Sequence, residues 1–157
     1  MISPGGAEDS IVALDLKTGK KIWGSDLGVG SAEYTSMVAA EISGTKQYVK
    51  LFMDKFVGVD AESGKKIWES DWRGSTAVAS APIVADDKVF ITTGYGVGCK
   101  LVKVKGKSTS EEWDNKKMKN HHGGVVKVGD HIYGFSDSAG LVCQSWETGE
   151  QVWNHKD

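Results

Sequence analysis

The residues of this 157-residue chain that are best equipped for chemistry are few. Asn120-His121-His122-Gly123-Gly124 carries two adjacent imidazoles, side chains that change charge near neutral pH and ligate metals. Neighbours on an extended segment point to opposite sides, so the pair is not expected to share one metal, and a metal would need a third ligand from elsewhere. The plainer reading of His121 and His122 is polar loop residues bonded to backbone; contact with a ligand or partner is the functional one. Tyr34, in Glu33-Tyr34-Thr35, and Tyr95, in Gly94-Tyr95-Gly96, are the other candidate contacts, with Tyr95 expected at the rim opposite the histidines. Cys99 and Cys143 are 44 residues apart, which is no metal or redox spacing. They read as two small buried side chains, although spacing alone leaves a disulfide open. Lys116, Lys117 and Lys119 form a basic run without the interleaved aromatics of single-strand binding, and read as a solvated loop. The chain has neither a P-loop nor a G-x-S-x-G, and no residue is singled out as catalytic or metal-ligating.

What must position these residues is a pattern that the chain repeats. Ile11 to Trp23 reads IVALDLKTGKKIW, and Phe56 to Trp68 reads FVGVDAESGKKIW. Leu101 to Trp113 (LVKVKGKSTSEEW) and Leu141 to Trp153 (LVCQSWETGEQVW) align with them without a gap. The closing Trp23, Trp68, Trp113 and Trp153 recur at periods of 45, 45 and 40 residues. Gly19, Gly64 and Gly149 recur before three of them, where a turn asks for positive φ. The third copy departs, with Lys105 at the place of Asp15 and Asp60 and Thr109 at that of the glycine, so its turn over Gly106 to Ser110 must be built differently.

Each copy is a hairpin, and the residues between copies supply two further strands. Ser36 to Ile42, Lys46 to Met53, Phe56 to Ala61 and Lys66 to Asp71 make one meander. Ser80 to Ala85, Lys88 to Tyr95, Lys100 to Lys105 and a strand led by Glu111 to Asp114 make the next. Gly124 to Val128, His131 to Ser136, Leu141 to Trp146 and Gln151 to His155 make the last. β-Branched and aromatic residues dominate these runs, and no segment shows a helical period. Four-stranded units of 40 to 45 residues predict an all-β chain of β-propeller blades, three full and part of another. The units fall at about 1–27, 28–72, 73–115 and 116–157. The tryptophans then serve to pack blade on blade. Recurrence of Asp15 and Asp60 argues for a turn-capping bond rather than a unique base.

Composition agrees. A chain with 39% hydrophobic and 25% charged residues and a net charge of −2 is a folded domain with no general pull on nucleic acid or a membrane surface. Its 20 glycines and 2 prolines suit many tight turns between short strands. No apolar run approaches the ~20 residues that span a bilayer. The opening MISPGGAEDS has neither the basic nor the apolar region of a signal peptide.

The run A-x-D-x-x-T-G-K-x-x-W, at Ala13 to Trp23 and with Gly58 and Ser63 at Gly58 to Trp68, resembles the tryptophan-docking repeat of the pyrroloquinoline-quinone-type (PQQ-like) β-propellers. Met118 to Val126, with Gly94-Tyr95-Gly96 before it, resembles bacterial quinone-binding-like repeat proteins. The resemblance implies a ring of about eight blades, so the chain is expected to be a fragment of a longer propeller, or half of a ring that a second copy completes. It implies export to the periplasm or beyond. The family holds non-catalytic scaffolds, such as the lipoprotein of the outer-membrane β-barrel assembly machinery, and quinoprotein dehydrogenases with PQQ, Ca²⁺ and an Asp base. The latter often carry adjacent cysteines, which this chain lacks. The expectation is therefore a binding or scaffold module that is not an enzyme and holds no cofactor, engaging a protein or small-molecule ligand at a propeller face through Tyr34, Tyr95, His121 and His122. A piece of a PQQ-dependent alcohol or sugar dehydrogenase is the alternative.

Overall fold

The structure, a computed structural model, describes residues 1–6 and 8–156. β1 (Ile11–Leu14) and β2 (Lys21–Ser25) form a two-stranded sheet. β3 (Val38–Ile42), β4 (Thr45–Leu51), β5 (Lys55–Asp60) and β6 (Lys66–Asp71) form a second sheet, in that order. The third contains β7 (Ile83–Ala85), β8 (Lys88–Thr93), β9 (Gly98–Lys105) and β10 (Ser108–Asn115). The fourth contains β11 (Val125–Val128), β12 (His131–Ser136), β13 (Gly140–Ser145) and β14 (Gln151–His155). Every pair is antiparallel and joins sequence neighbours, so each four-stranded sheet is a meander. β3 lies against β7 and β7 against β11, while β6 meets β10, so neighbouring sheets stack first strand beside first strand and fourth beside fourth. This is an incomplete β-propeller of four-stranded blades.

Alternation places the apolar residues between sheets. Ile11, Phe52, Val57 and Val59 join the first sheet to the second. Val49, Phe56, Trp68, Val89, Val102 and Val104 join the second to the third. Phe90, Leu101, Met118, Ile132 and Val142 join the third to the fourth. The repeated tryptophans take part. A Cβ on Gly64 would overlap the ring of Trp23, and one on Gly149 would stand 2.6 Å from Trp113 Cδ2, so each ring lies on a bare glycine of the next sheet. Trp68 is buried, edge-on to Phe56, and its Nε1–H donates to Gln47 Oε1 at 2.7 Å.

The repeated turn is a local hydrogen-bonded unit. Asp15 Oδ1 accepts from the Thr18 N–H (2.8 Å) and hydroxyl (2.7 Å), and Gly19 N–H donates to Asp15 O at 2.9 Å. Asp60, Ser63 and Gly64 make the same bonds; in the fourth hairpin Gly149 N–H still donates to Ser145 O at 3.0 Å, but the Ser145 hydroxyl accepts only the Thr148 N–H, at 3.2 Å. Gly19, Gly64 and Gly149 all take φ near +70°.

The third hairpin corrects the ungapped alignment. Trp68 faces Gly58 and Trp153 faces Cys143, ten residues back in each case, but Trp113 faces Leu101, twelve back. The ladder runs on past the usual turn and closes on Gly106-Lys107, with Gly106 at φ 60° in the first position, as a type II′ hairpin wants. Ser108 to Ser110, expected as loop, are strand. A bulge between Glu111 and Trp113 restores the phase. The expected strand at Ser80 is also shorter and starts at Ile83, because Pro82 has no N–H to give a ladder.

Candidate functional site

In a meander, the segment leading into the first strand, the turn between the second and third strands, and the exit of the fourth share one end of the sheet. The repeated Asp–Gly turns occupy the other end. The front end is where the sequence does not repeat, and the candidate residues lie there. This corrects the expectation for Tyr95: an antiparallel second strand returns the chain to the face from which the first strand departed, so Tyr95 and His121 share a face.

They also touch. Tyr95 and His121 have ring centroids 4.0 Å apart, and His121 stacks on His122 at 4.2 Å with 19° between planes. The expectation that the two imidazoles point apart fails because the segment is not extended there: the backbone bends at His122-Gly123, and Gly123 and Gly124 take φ of 80° and 73°. Asp137, in the turn after β12, organises the stack. Its Oδ2 accepts the Tyr95 N–H at 3.0 Å and its Oδ1 lies 3.5 Å from His121 Nδ1. Tyr95 is a non-glycine residue at φ 56°, a conformation that Asp137 and the His121 ring hold in place. Gly94 lets the segment approach, since a Cβ there would stand 2.9 Å from His121 Cα.

Beneath the stack lies a buried polar collar. Ser80 Oγ bonds Asn120 Oδ1, Asn120 Nδ2 donates to His122 O (3.0 Å) and Phe135 O (2.9 Å), and Thr92 Oγ1 donates to Met118 O (2.9 Å). The collar fixes the base of the histidine segment while leaving its rings at the surface. Tyr34 stands apart on the same face. Its N–H donates to Val78 O at 3.0 Å, and it is 78% exposed. Among the described residues, no three His, Cys, Asp or Glu side chains are placed to hold a metal ion.

Sequence reasoning missed Asp137 and a groove. The groove, about 770 Å³, lies on the front end between the second and third sheets and is lined by Asp54, Asp71, Trp72, Arg73, Lys100 and Lys116 among others. Arg73 is the only arginine of the chain, a signal that composition did carry. Asp137 had none, since only the fold brings it to Tyr95. The two cysteines are free. Cys99 Sγ lies 3.6 Å from Gln144 Nε2, so Cys143, next along the pleated strand, points to the other face of its sheet, where it pairs with Tyr133. Burial pushes the Cys99 thiol up to about 11, which makes it a packing group rather than a nucleophile.

Comparison with known proteins comes from a family model and from solved structures; no curated protein matches the sequence. BamB from Moraxella catarrhalis is 14% identical, aligned over 93% of this chain and 58% of that one, with a TM-score of 0.45. A europium-containing methanol dehydrogenase is 15% identical over 78% of this chain and 25% of that one, with a TM-score of 0.51, and shares the fold. The chain thus spans less than two thirds of either protein. Residues 3–155 match the family model described as outer membrane protein assembly factor BamB, and the chain belongs to that family of PQQ-like repeat propellers.

Proposed function

We propose that this chain is a non-catalytic binding and scaffold module of a PQQ-like propeller, working in the periplasm and engaging a protein partner of outer-membrane assembly through its front face. The observation that carries this reading is the Tyr95–His121–His122 stack. It is solvent-facing, built from residues outside the repeat, and held by a strained backbone and a buried collar. Rigid aromatic and imidazole surface on fixed loops is what recognition uses, because little side-chain entropy is lost on contact. Tyr34 and the groove beside Arg73 extend the same face. The repeated tryptophans are tryptophan-docking positions in this reading and carry no chemistry.

The dehydrogenase alternative has less to stand on. Its Ca²⁺ would take about six to eight oxygen ligands, backbone and amide carbonyls among them. Asp15 and Asp60, the recurrent acids, are spent on their own turns.

The test is site-specific photocrosslinking in bacterial envelopes, with the crosslinker at Tyr34, Tyr95 or His122 and, as a control, at Lys107 on the opposite end. A defined envelope protein is expected at the front positions and not at Lys107; equal labelling at both ends would overturn the reading. Dye-coupled alcohol oxidation by the chain after addition of PQQ and Ca²⁺ would overturn it as well.

A further inference from the structure

The groove between the second and third sheets has two walls, and backbone contacts fix both. On one side the chain leaving β6 is stapled to the β4–β5 turn: Trp72 N–H donates to Asp54 O at 2.9 Å and Gly74 N–H to Met53 O at 2.7 Å. That wall carries Asp54, Asp71 and Arg73. On the other side Gly98, at φ 127°, lets the chain leaving β10 come close, since a Cβ there would overlap Asn115 O and stand 3.2 Å from Lys116 Cα. Asn115 Oδ1 accepts the Lys117 N–H at 2.9 Å and so shapes the turn that holds Lys116. Val97 and the buried Trp72 supply apolar surface, and the indole N–H of Trp72 is tied to Thr93 Oγ1 at 3.0 Å. Six charged side chains line this space, and only Lys100 is ion-paired, with Glu111 at 3.2 Å. Asp54, Asp71, Asp114, Arg73 and Lys116 make no ion pair or hydrogen bond through their side chains among the described residues. Elsewhere charges of opposite sign do meet, as Lys88 meets Glu112 and Glu147, and Lys55 meets Glu69. Here both signs share one cavity without cancelling, which leaves them to a ligand that carries both.

We propose that this groove binds a short peptide with free termini. Its α-carboxylate lies on Arg73 and Lys116, its α-ammonium among the carboxylates of Asp54, Asp71 and Asp114, and its apolar middle against Trp72 and Val97. A guanidinium grips a carboxylate through two parallel N–H···O bonds, and Arg73 is the one arginine of the chain. The volume, about 770 Å³, falls among those of small-ligand pockets. Walls fixed before the ligand arrives lower the ordering cost of binding it. The mixed lining disfavours ligands of a single sign. A phosphate would meet three unpaired carboxylates, and a metal cation would meet Arg73 and Lys116. The groove shares no lining side chain with the Tyr95–His121–His122 stack, so this inference goes beyond the partner-binding reading and does not rest on it.

The test is titration of the 157-residue chain with the tripeptide alanyl-leucyl-alanine, followed by calorimetry and by ¹H–¹⁵N spectra. Saturable binding is expected, with the Trp72 indole resonance shifting and those of Trp23 and Trp153 unmoved. N-acetylating or C-amidating the peptide should each weaken binding by about tenfold or more, because each removes one charge-assisted set of hydrogen bonds. Arg73→Gln should weaken binding of the free peptide and leave that of the amidated peptide unchanged. Asp54→Asn with Asp71→Asn should do the same for the free and the acetylated peptide. These three side chains are exposed and unpaired, so the variants should keep the wild-type far-UV spectrum, and the capped peptides test the proposal on the wild type in any case. No saturable binding at millimolar peptide would overturn it. So would capped peptides that bind as well as the free one, which would mark an internal protein segment as the occupant, or shifts centred on His121 and His122 instead of Trp72. Photocrosslinking from Tyr34, Tyr95 and His122 reads a different surface and is decided independently.

Discussion

At the scale of single residues, two kinds of ionisable group are displaced from their ordinary behaviour, in ways that can be measured. Asp15 and Asp60 are exposed carboxylates held below the usual range, first by the Thr18 and Ser63 hydroxyls and then by the backbone N–H groups of the same residues. A carboxylate whose folded pKa is depressed contributes stability above its unfolded value, about 4, and loses it as pH falls through the folded one. Asp15→Asn and Asp60→Asn together should flatten the acid side of a pH–stability profile relative to wild type, with little change in slope above pH 6, as read by thermal melts. Lys50 is the opposite case. It is buried in mid-strand, its Nζ donates to Thr35 O, and it lies 5.6 Å from the Phe52 ring. Burial lowers its pKa to about 8, with the Glu33 carboxylate opposing. The unfolded chain therefore holds the proton more tightly, and stability should rise between pH 8 and the ordinary lysine value, about 10.4. Lys50→Met should abolish that rise and raise stability at pH 7 by roughly 1–3 kcal/mol, because it removes the cost of a buried charge. An unchanged slope would show that Lys50 is solvated in the native state. The sequence held part of this: in Lys46 to Met53, alternation puts Lys50 on the row of Tyr48 and Phe52, yet pattern alone does not say that the row is covered.

At the scale of the hairpin, the Trp–glycine contact separates two roles that one residue combines. Gly19 and Gly64 have the same left-handed φ, and only Gly64 lies under a tryptophan. Gly19→Ala should cost about 1 kcal/mol for the backbone conformation alone. Gly64→Ala should cost that and about 1–3 kcal/mol more, because its Cβ displaces Trp23 from a packed interface. Equal losses by denaturant titration would show that the glycines recur for the turn only. The same comparison marks what could be read in advance. Strand order, blade size and the Asp-capped turn followed from period and turn residues, which act locally. The third hairpin did not, because a type II′ turn and a bulge can trade two residues of ladder without moving its Trp from the end of the unit. The His121–His122 stack was hidden for a similar reason. Two glycines at positive φ bend a segment that alternation treats as straight, and Asp137 comes from the next turn of the fold.

At the scale of the molecule, stability is a sum over contacts between neighbouring sheets, and the sheets are not equally supplied. The second and third share the largest buried cluster, with Trp68 and Trp72 in it, whereas β14 is exposed along all five residues. Hydrogen exchange should follow this: amides of β4, β5, β8 and β9 slowest, those pairing β13 with β14 fastest among the ladders. Trp68→Ala tests how far the sum is cooperative. It empties the centre of the cluster and leaves Gln47 without its indole donor, a loss of about 3–5 kcal/mol. If each boundary holds independently, protection should fall across the second and third sheets and stay near wild type in the fourth, whose own cluster of Phe90, Met118, Ile132 and Val142 is intact. An equal fall in all sheets would mean that the array unfolds as one unit. A total loss under about 1 kcal/mol would remove Trp68 from the role that its burial assigns it.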